Sequence, residues 1–211
     1  MNRKLKTNKT TQPIRSKADR DAMIRYFLKR SLRDYALFIF GIYTGRRISD
    51  LVALNVRDVA YIDRRGYFRI ADRLEIWEKK TGKFATLRLH SRIKWALGKY
   101  LKERRKTAPS MEAVLEEPLF RSQKARMHDR QQFRITQQHA WRVLTDAAHA
   151  CGLAYKIGTH SLRKTFGYML YQKGKNIELI QDLLNHSSPE ITLSYIGITQ
   201  DDKDEAILSL D

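Results

Sequence analysis

The chain has 211 residues, with 41 Lys+Arg against 23 Asp+Glu, a formal net charge of +18 at pH 7, and a single cysteine. An apolar content of 42% is enough for a core at this length, which excludes wholesale disorder; the lone Cys151 excludes an internal disulfide framework and a cysteine-rich zinc site. The longest apolar run, Tyr35 to Tyr43, is far shorter than the ~20 residues of a membrane span, and no apolar signal core follows the N-terminal charges. The expectation is a cytoplasmic protein with no membrane role. A pI near 10.1 points to a polyanionic partner, nucleic acid first, because neutralising phosphates releases their counterions.

Residues 1–16 carry Arg3, Lys4, Lys6, Lys9 and Arg15 without an acid and read as a basic flexible tail, one able to serve as a DNA-backbone arm. Ser16 followed by Asp19, and Ser31 followed by Asp34, resemble capping boxes and open two helices within residues 17–44. These break at Thr44-Gly45, and a short third helix follows from Ile48 to Leu54. From Tyr61 the period changes to alternation in YFRIA, LEIWE and FATLRLH, the pattern of two or three antiparallel strands with a tight turn at Lys80-Thr81-Gly82-Lys83. Helical spacing returns at Ile93, Leu97, Tyr100 and Leu101. Residues 107–135 read as a loop holding a basic cluster of Arg121, Lys124, Arg126, Arg130 and Arg134, either solvated or in contact with phosphate. Four helical stretches follow: Thr136 to Ala150, His160 to Gln172, Ile177 to Leu184, and one opened by Ser188-Pro189-Glu190 that contains Tyr195. The acidic tail after Gly197, with apolar Ile207, Leu208 and Leu210, has the pattern of a small docking helix.

In so basic a chain no single arginine is informative; order and company are. Thr44-Gly45-Arg46-Arg47 places arginines where a helix starts, with Asp50 three residues beyond Arg47. His160 and Arg163 share a helix face, Leu184-Asn185-His186 sets a second histidine at a helix end, and Tyr195 follows nine residues later. Tyr168 and Tyr171 compete with Tyr195 but sit amid Phe166, Met169 and Leu170 and read as core; Trp77, Trp95 and Trp141 likewise read as packing residues.

This ordered set of boxes resembles the catalytic domain of the tyrosine recombinase (phage integrase) family, over roughly residues 20 to 200. The resemblance implies an α+β, mainly helical fold with a small antiparallel sheet of about three strands, and a catalytic domain over residues 17–198. It implies Arg47 and Arg163 as paired arginines, Lys80 as the hairpin lysine ahead of its neighbours Lys79 and Lys83, His160 and His186 as supporting histidines, and Tyr195 as nucleophile. The chemistry agrees. In-line attack on a phosphodiester builds charge on the non-bridging oxygens, which planar guanidinium forks can clamp. A phenol of pKa about 10 is a nucleophile once its proton is taken, and a fair leaving group afterwards. The resemblance further implies double-stranded DNA as partner, a 3′-phosphotyrosyl intermediate and a homotetramer on two DNA sites, with the C-terminal tail of residues 199–211 packing on a neighbour or folding back in cis. An accessory DNA-bending protein is compatible with it.

Nothing in this set calls for a cofactor, and neither a Cys/His ligand cluster nor a Gly-rich nucleotide loop suggests a metal. Asp50 is expected to orient Arg47 or a backbone amide. Arg46, Lys83 and Lys164 join Arg121, Lys124, Arg126 and Arg130 as candidate DNA contacts, with Arg46 and Lys164 departing from the family's usual residues. Asn185 stands where the family has glycine and is expected to tolerate a positive φ. Many family members carry a further core-binding domain ahead of this region, and only 16 to 20 residues precede the first helix here. Two rival functions are a DNA-binding regulator that keeps the fold without strand exchange, and a type IB topoisomerase-like nicking and religating enzyme that uses closely similar chemistry without a second site.

Overall fold

The computed structural model describes residues 10–122, 134–198, 202, 204 and 207–210. Helix α1 (Lys17–Arg30) opens at Ser16 and α2 (Leu32–Thr44) at Ser31, each serine hydroxyl accepting from the amide three residues on. Helix α2 is apolar nearly all round, from Tyr35 through Ile42. It is therefore the central rod of the core, packed by α1, α4 (Ser91–Arg105) and α7 (Thr159–Gln172). Phe38, Ile39 and Phe40 are fully buried, and Gly41 admits Leu162 of α7 where any β-carbon would collide.

After the short α3 (Ile48–Leu51) come four strands rather than about three. Strands β1 (Ala60–Ile62) and β2 (Phe68–Ile70) form one antiparallel pair, and β3 (Arg73–Trp77) and β4 (Phe84–Arg88) another. The extra turn is made by Asp63, whose carboxylate accepts from the amides of Arg65 and Tyr67 and so closes β1 onto β2. The β3–β4 turn is wider than expected: Trp77 pairs with Phe84 and residues 78–83 lie between them. Helix α5 (Met111–Glu116), opened by Ser110, interrupts what reads as loop in the sequence. Helices α6 (Gln137–Ala150), α7, α8 (Ile177–Leu184) and α9 (Pro189–Ile196) follow the sequence pattern closely.

The flexible tail expected over residues 1–16 is corrected for its second half. Ile14 is fully buried and its amide donates to Thr165 Oγ1 of α7 at 2.8 Å. The Gln12 amide bonds the Lys156 carbonyl at 2.9 Å, and the Arg15 guanidinium reaches the Gly197 carbonyl at the end of α9. Residues 10–15 thus form a strap across α7 and the end of α9. At the other terminus Ile207, Leu208 and Leu210 are exposed, so they are not buried in cis. Among the described residues no helix is long and apolar enough to cross a membrane.

Candidate active site

The site is assembled at a corner between α2 and α3. Gly45 caps α2 in the left-handed region (φ 64°), turning the chain so sharply that Arg46 enters the interior while Arg47 lines a cleft of about 220 Å³. Lys80, His160 and Arg163 line the same cleft. Asp50, at the first turn of α3, is buried and accepts from the Lys79 amide at 3.2 Å. It pins the β3–β4 hairpin to the corner by a backbone amide; its own amide donates to the Arg47 carbonyl at 3.0 Å, and among the described residues its carboxylate makes no hydrogen bond to the Arg47 guanidinium.

Arg163 is almost fully buried. Nη1 donates to the Gly45 carbonyl at 2.7 Å and Nη2 to the Leu184 carbonyl, so one guanidinium ties the α2–α3 corner to the end of α8. Burial lowers its pKa to about 10, which keeps it charged at neutral pH. Helix α8 ends at Asn185 with φ 53° and ψ 44°, the positive φ that its position requires and that asparagine accommodates. The chain then presents His186, whose Nδ1 lies 3.1 Å from Thr192 Oγ1.

Tyr195 lies near the end of α9. Gly167 on α7 allows the close approach of α9, because a β-carbon there would stand 2.6 Å from Ile196 Cγ2. The phenol oxygen is 3.3 Å from His160 Nδ1, and the His186 ring meets the Tyr195 ring edge-on at 4.8 Å between centroids. Burial raises the Tyr195 pKa against the opposing pull of Arg163 and Arg47, so the phenol is protonated at neutral pH. Both histidines are depressed, first by burial and then by the surrounding cations; His186 falls to about 4. Both imidazoles are neutral at pH 7, and a neutral His160 protonated on Nε2 can accept the Tyr195 proton at Nδ1.

A depressed histidine stabilises the fold above its unfolded pKa and loses that contribution as pH falls toward the folded one. Stability should therefore decline between pH 6.5 and about 4. Solvent around the half-buried His186 ring cuts its share to about 1 kcal/mol. His186→Gln should correspondingly narrow the difference in Tm between pH 7 and pH 4.5; an unchanged difference would assign the decline to other groups.

The hairpin contributes Lys80, which is exposed at the cleft, and Glu78, which sequence reasoning missed. Glu78 is buried and pairs with both arginines of the corner, with Arg46 through Oε1 and with Arg47 Nη1 through Oε2 at 2.7 Å. Its Oε2 also accepts from Thr81 Oγ1 at 2.9 Å and from Asn185 Nδ2 at 3.2 Å. The sequence held a signal: Leu74 and Ile76 face inward on β3, and the same period of two puts a carboxylate on the buried side at residue 78.

The remaining candidates divide. Arg46 is corrected as a phosphate contact, being buried and bound to Glu78 and the Leu183 carbonyl. Lys83 donates to Asn185 Oδ1 at 2.7 Å. Lys164 donates to the Thr11 carbonyl at 2.8 Å and stands 5.2 Å over the Tyr195 ring. Arg121 is half exposed, 3.8 Å from Glu117, while Arg134 is spent on the Ala53 and Leu54 carbonyls. Lys124, Arg126 and Arg130 lie outside the described residues. Tyr171 and all three tryptophans are exposed, so none is a core residue; Tyr168 is half-buried beside Arg15. Among the described residues no group of three or more His, Cys, Asp or Glu could hold a metal ion.

The sequence profile of the Phage integrase family matches residues 17–201. The chain is 40% identical over 190 residues to "Probable integrase/recombinase YoeC" of Bacillus subtilis (strain 168), covering 90% of this chain and 91% of that protein. It is 28% identical over 182 residues to "Tyrosine recombinase XerD" of Oceanobacillus iheyensis, covering 86% of this chain and 56% of that protein. The chain thus spans nearly all of one curated relative and about half of another. Among solved structures, XerA recombinase superposes with a TM-score of 0.69 at 23% identity, over 94% of this chain and 65% of that one. XerH site-specific recombinase bound to palindromic difH substrate gives 0.67 at 22% identity, over 96% and 54%.

Proposed function

The chain belongs to the phage integrase family, the tyrosine recombinases, which are DNA strand-transferring enzymes, and on that premise we propose that it is a site-specific recombinase working through Tyr195. In this reading the scissile phosphate sits in the cleft lined by Arg47, Lys80, His160 and Arg163. The Tyr195 oxygen attacks phosphorus, the P–O5′ bond breaks, and a 3′-phosphotyrosyl bond holds the strand end. His160 takes the phenolic proton, the arginines stabilise charge on the non-bridging oxygens, and Lys80 supplies a proton to the departing 5′-oxygen. Attack by a 5′-hydroxyl from a second duplex reverses each step and releases the tyrosine, so exchange needs no external energy source. His186 supports the Tyr195 ring from its edge and is placed to donate to phosphate.

The observation that carries the reading is the approach of Tyr195 Oη to Nδ1 of His160, which lines a cleft together with two arginines and a lysine. The partner is double-stranded DNA, and the assembly is a homotetramer on two sites, in keeping with the palindromic substrate of XerH. The exposed Ile207, Leu208 and Leu210 suit a tail that packs on a neighbouring protomer. In the test, wild-type protein and Tyr195→Phe are incubated with nicked duplex carrying the sequence that flanks the protein's own gene, and resolved on a denaturing gel. A covalent adduct that vanishes in the variant is expected. Salt-sensitive binding without an adduct would overturn the reading in favour of a regulator, and cleavage at many unrelated sequences would favour a topoisomerase-like enzyme.

The N-terminal residues give a second prediction. Residues 1–9 include Arg3, Lys4, Lys6 and Lys9, and deleting them spares the strap. If they bind the DNA backbone, the slope of log affinity against log salt should flatten by about one unit for each phosphate that is no longer neutralised. An unchanged slope would remove them from the DNA interface.

A further inference from the structure

Arg46 and Glu78 form an ion pair buried from solvent, beside the Arg47–Glu78 pair at the edge of the cleft. Three segments that each carry a proposed catalytic group meet at this one carboxylate. The α2–α3 corner brings Arg46 and Arg47, the hairpin brings Thr81 next to Lys80, and the turn after α8 brings Asn185 next to His186. Lys83 closes the same turn from the hairpin side through Asn185 Oδ1.

We propose that Glu78 is a positioning residue for Arg47: its carboxylate holds one arm of that guanidinium and fixes the Lys80 hairpin and the His186 turn around it. The inference rests on the recombinase reading for its catalytic consequence and on the geometry alone for the positioning. A guanidinium held at Nη1 by a charged acceptor is fixed in plane and direction, and its remaining donors carry no other hydrogen bond among the described residues. The anion also lets three guanidinium groups, those of Arg46, Arg47 and Arg163, converge at a site that must be ready before DNA arrives. Arg46 follows from the same arrangement. It donates to Oε1 and to the Leu183 carbonyl, so Glu78 is paired on its inner side while Oε2 accepts from Arg47, Thr81 and Asn185.

Removing Glu78 alone would strand Arg46 as a buried unpaired charge and confuse loss of fold with loss of positioning. The test therefore works in an Arg46→Met background, where the long apolar side chain fills the space of the arginine stem. In Arg46→Met, Glu78→Gln a neutral amide oxygen still accepts from Arg47. In Arg46→Met, Glu78→Leu no acceptor remains, and the buried ion pair has been replaced by apolar groups, an exchange that is often neutral for stability. Two quantities are read on each protein: the single-turnover rate of adduct formation on saturating nicked duplex, and the rate at which phenylglyoxal modifies Arg47, followed by peptide mass spectrometry without DNA.

The Leu variant is expected to bind the duplex within about threefold of wild type, to form adduct at least about tenfold more slowly, and to label at Arg47 several-fold faster; the Gln variant should fall between Arg46→Met and the Leu variant in both. A Leu variant that forms adduct and labels as wild type does would overturn the proposal, as would Gln and Leu variants that behave alike. Should the Leu variant not fold, Arg46→Met, Glu78→Gln against Arg46→Met carries the same comparison, because a neutral acceptor holds a guanidinium about half as strongly as a charged one. Faster Arg47 labelling in the Gln protein supports positioning, and equal labelling overturns it. The two readings fail separately: wild-type protein without an adduct, but with labelling that depends on residue 78, removes the recombinase and keeps the positioning.

Discussion

Arg163→Lys is expected to leave DNA affinity within about threefold of wild type while slowing covalent adduct formation by about 10²–10³-fold, the effect of removing one preorganised donor from a site of developing charge. The charge is conserved, so the electrostatic part of binding survives. The planar fork is lost. In the structure that fork spans from the Gly45 carbonyl to the Leu184 carbonyl, and one ammonium cannot reach both while also facing the cleft. A buried carbonyl left without its charged donor costs roughly 1–3 kcal/mol, so thermal melts belong beside the kinetics to show that the protein remains folded at the assay temperature. Single-turnover cleavage within a few-fold of wild type would exclude Arg163 from the transition state.

Gly45→Ala is expected to lower stability by about 2–4 kcal/mol, a fall in Tm of roughly 5–15 °C for a chain of this size. Two costs combine. The residue sits at φ 64°, a region unfavourable for an L side chain, and the new methyl would stand 2.4 Å from the Phe166 ring. Because the Gly45 carbonyl is a partner of Arg163, and Arg46 and Arg47 follow it directly, cleavage should fall further than the loss of folded protein explains. Activity that simply tracks the folded fraction across temperature would show that the corner tolerates the shift.

The sequence was most legible where the determinants are local. The serines and threonine that open α1, α2, α6 and α9 each accept the amide three residues on, so these starts could be read from a residue type and a spacing. The alternation of β3 was equally plain, since Leu74 and Ile76 face the core and Arg73, Glu75 and Trp77 face water. What could not be read depends on remote partners. Ile14 carries no local signal, because its burial is decided by α7, 151 residues away along the chain. Arg46 was counted among the basic residues open to phosphate because charge is visible in a sequence and burial is not; its inward turn is set by Gly45 and its neutralisation by Glu78, 32 residues on. The exposure of Trp77 and Phe84, whose rings meet at a tilt of 53° with centroids 5.2 Å apart on the outer face of the hairpin, runs against the usual expectation that large aromatics are buried.

The strap has a consequence for how the protein comes to be active. Its anchors close loops of 151 residues at Thr165, 153 at Lys164 and 182 at Gly197, which together with the neighbouring Arg15–Asp202 pair at 187 are the longest-range hydrogen bonds among the described residues. Contacts of such span are the costliest in chain entropy and form late. On a ribosome, Ile14 is made early and has nothing to bury against until α7 has emerged, and the Arg15 guanidinium has no carbonyl to hold until α9 is complete. The strap can therefore seat only once α7 and α9 are in place, and it then braces the end of the helix that bears Tyr195.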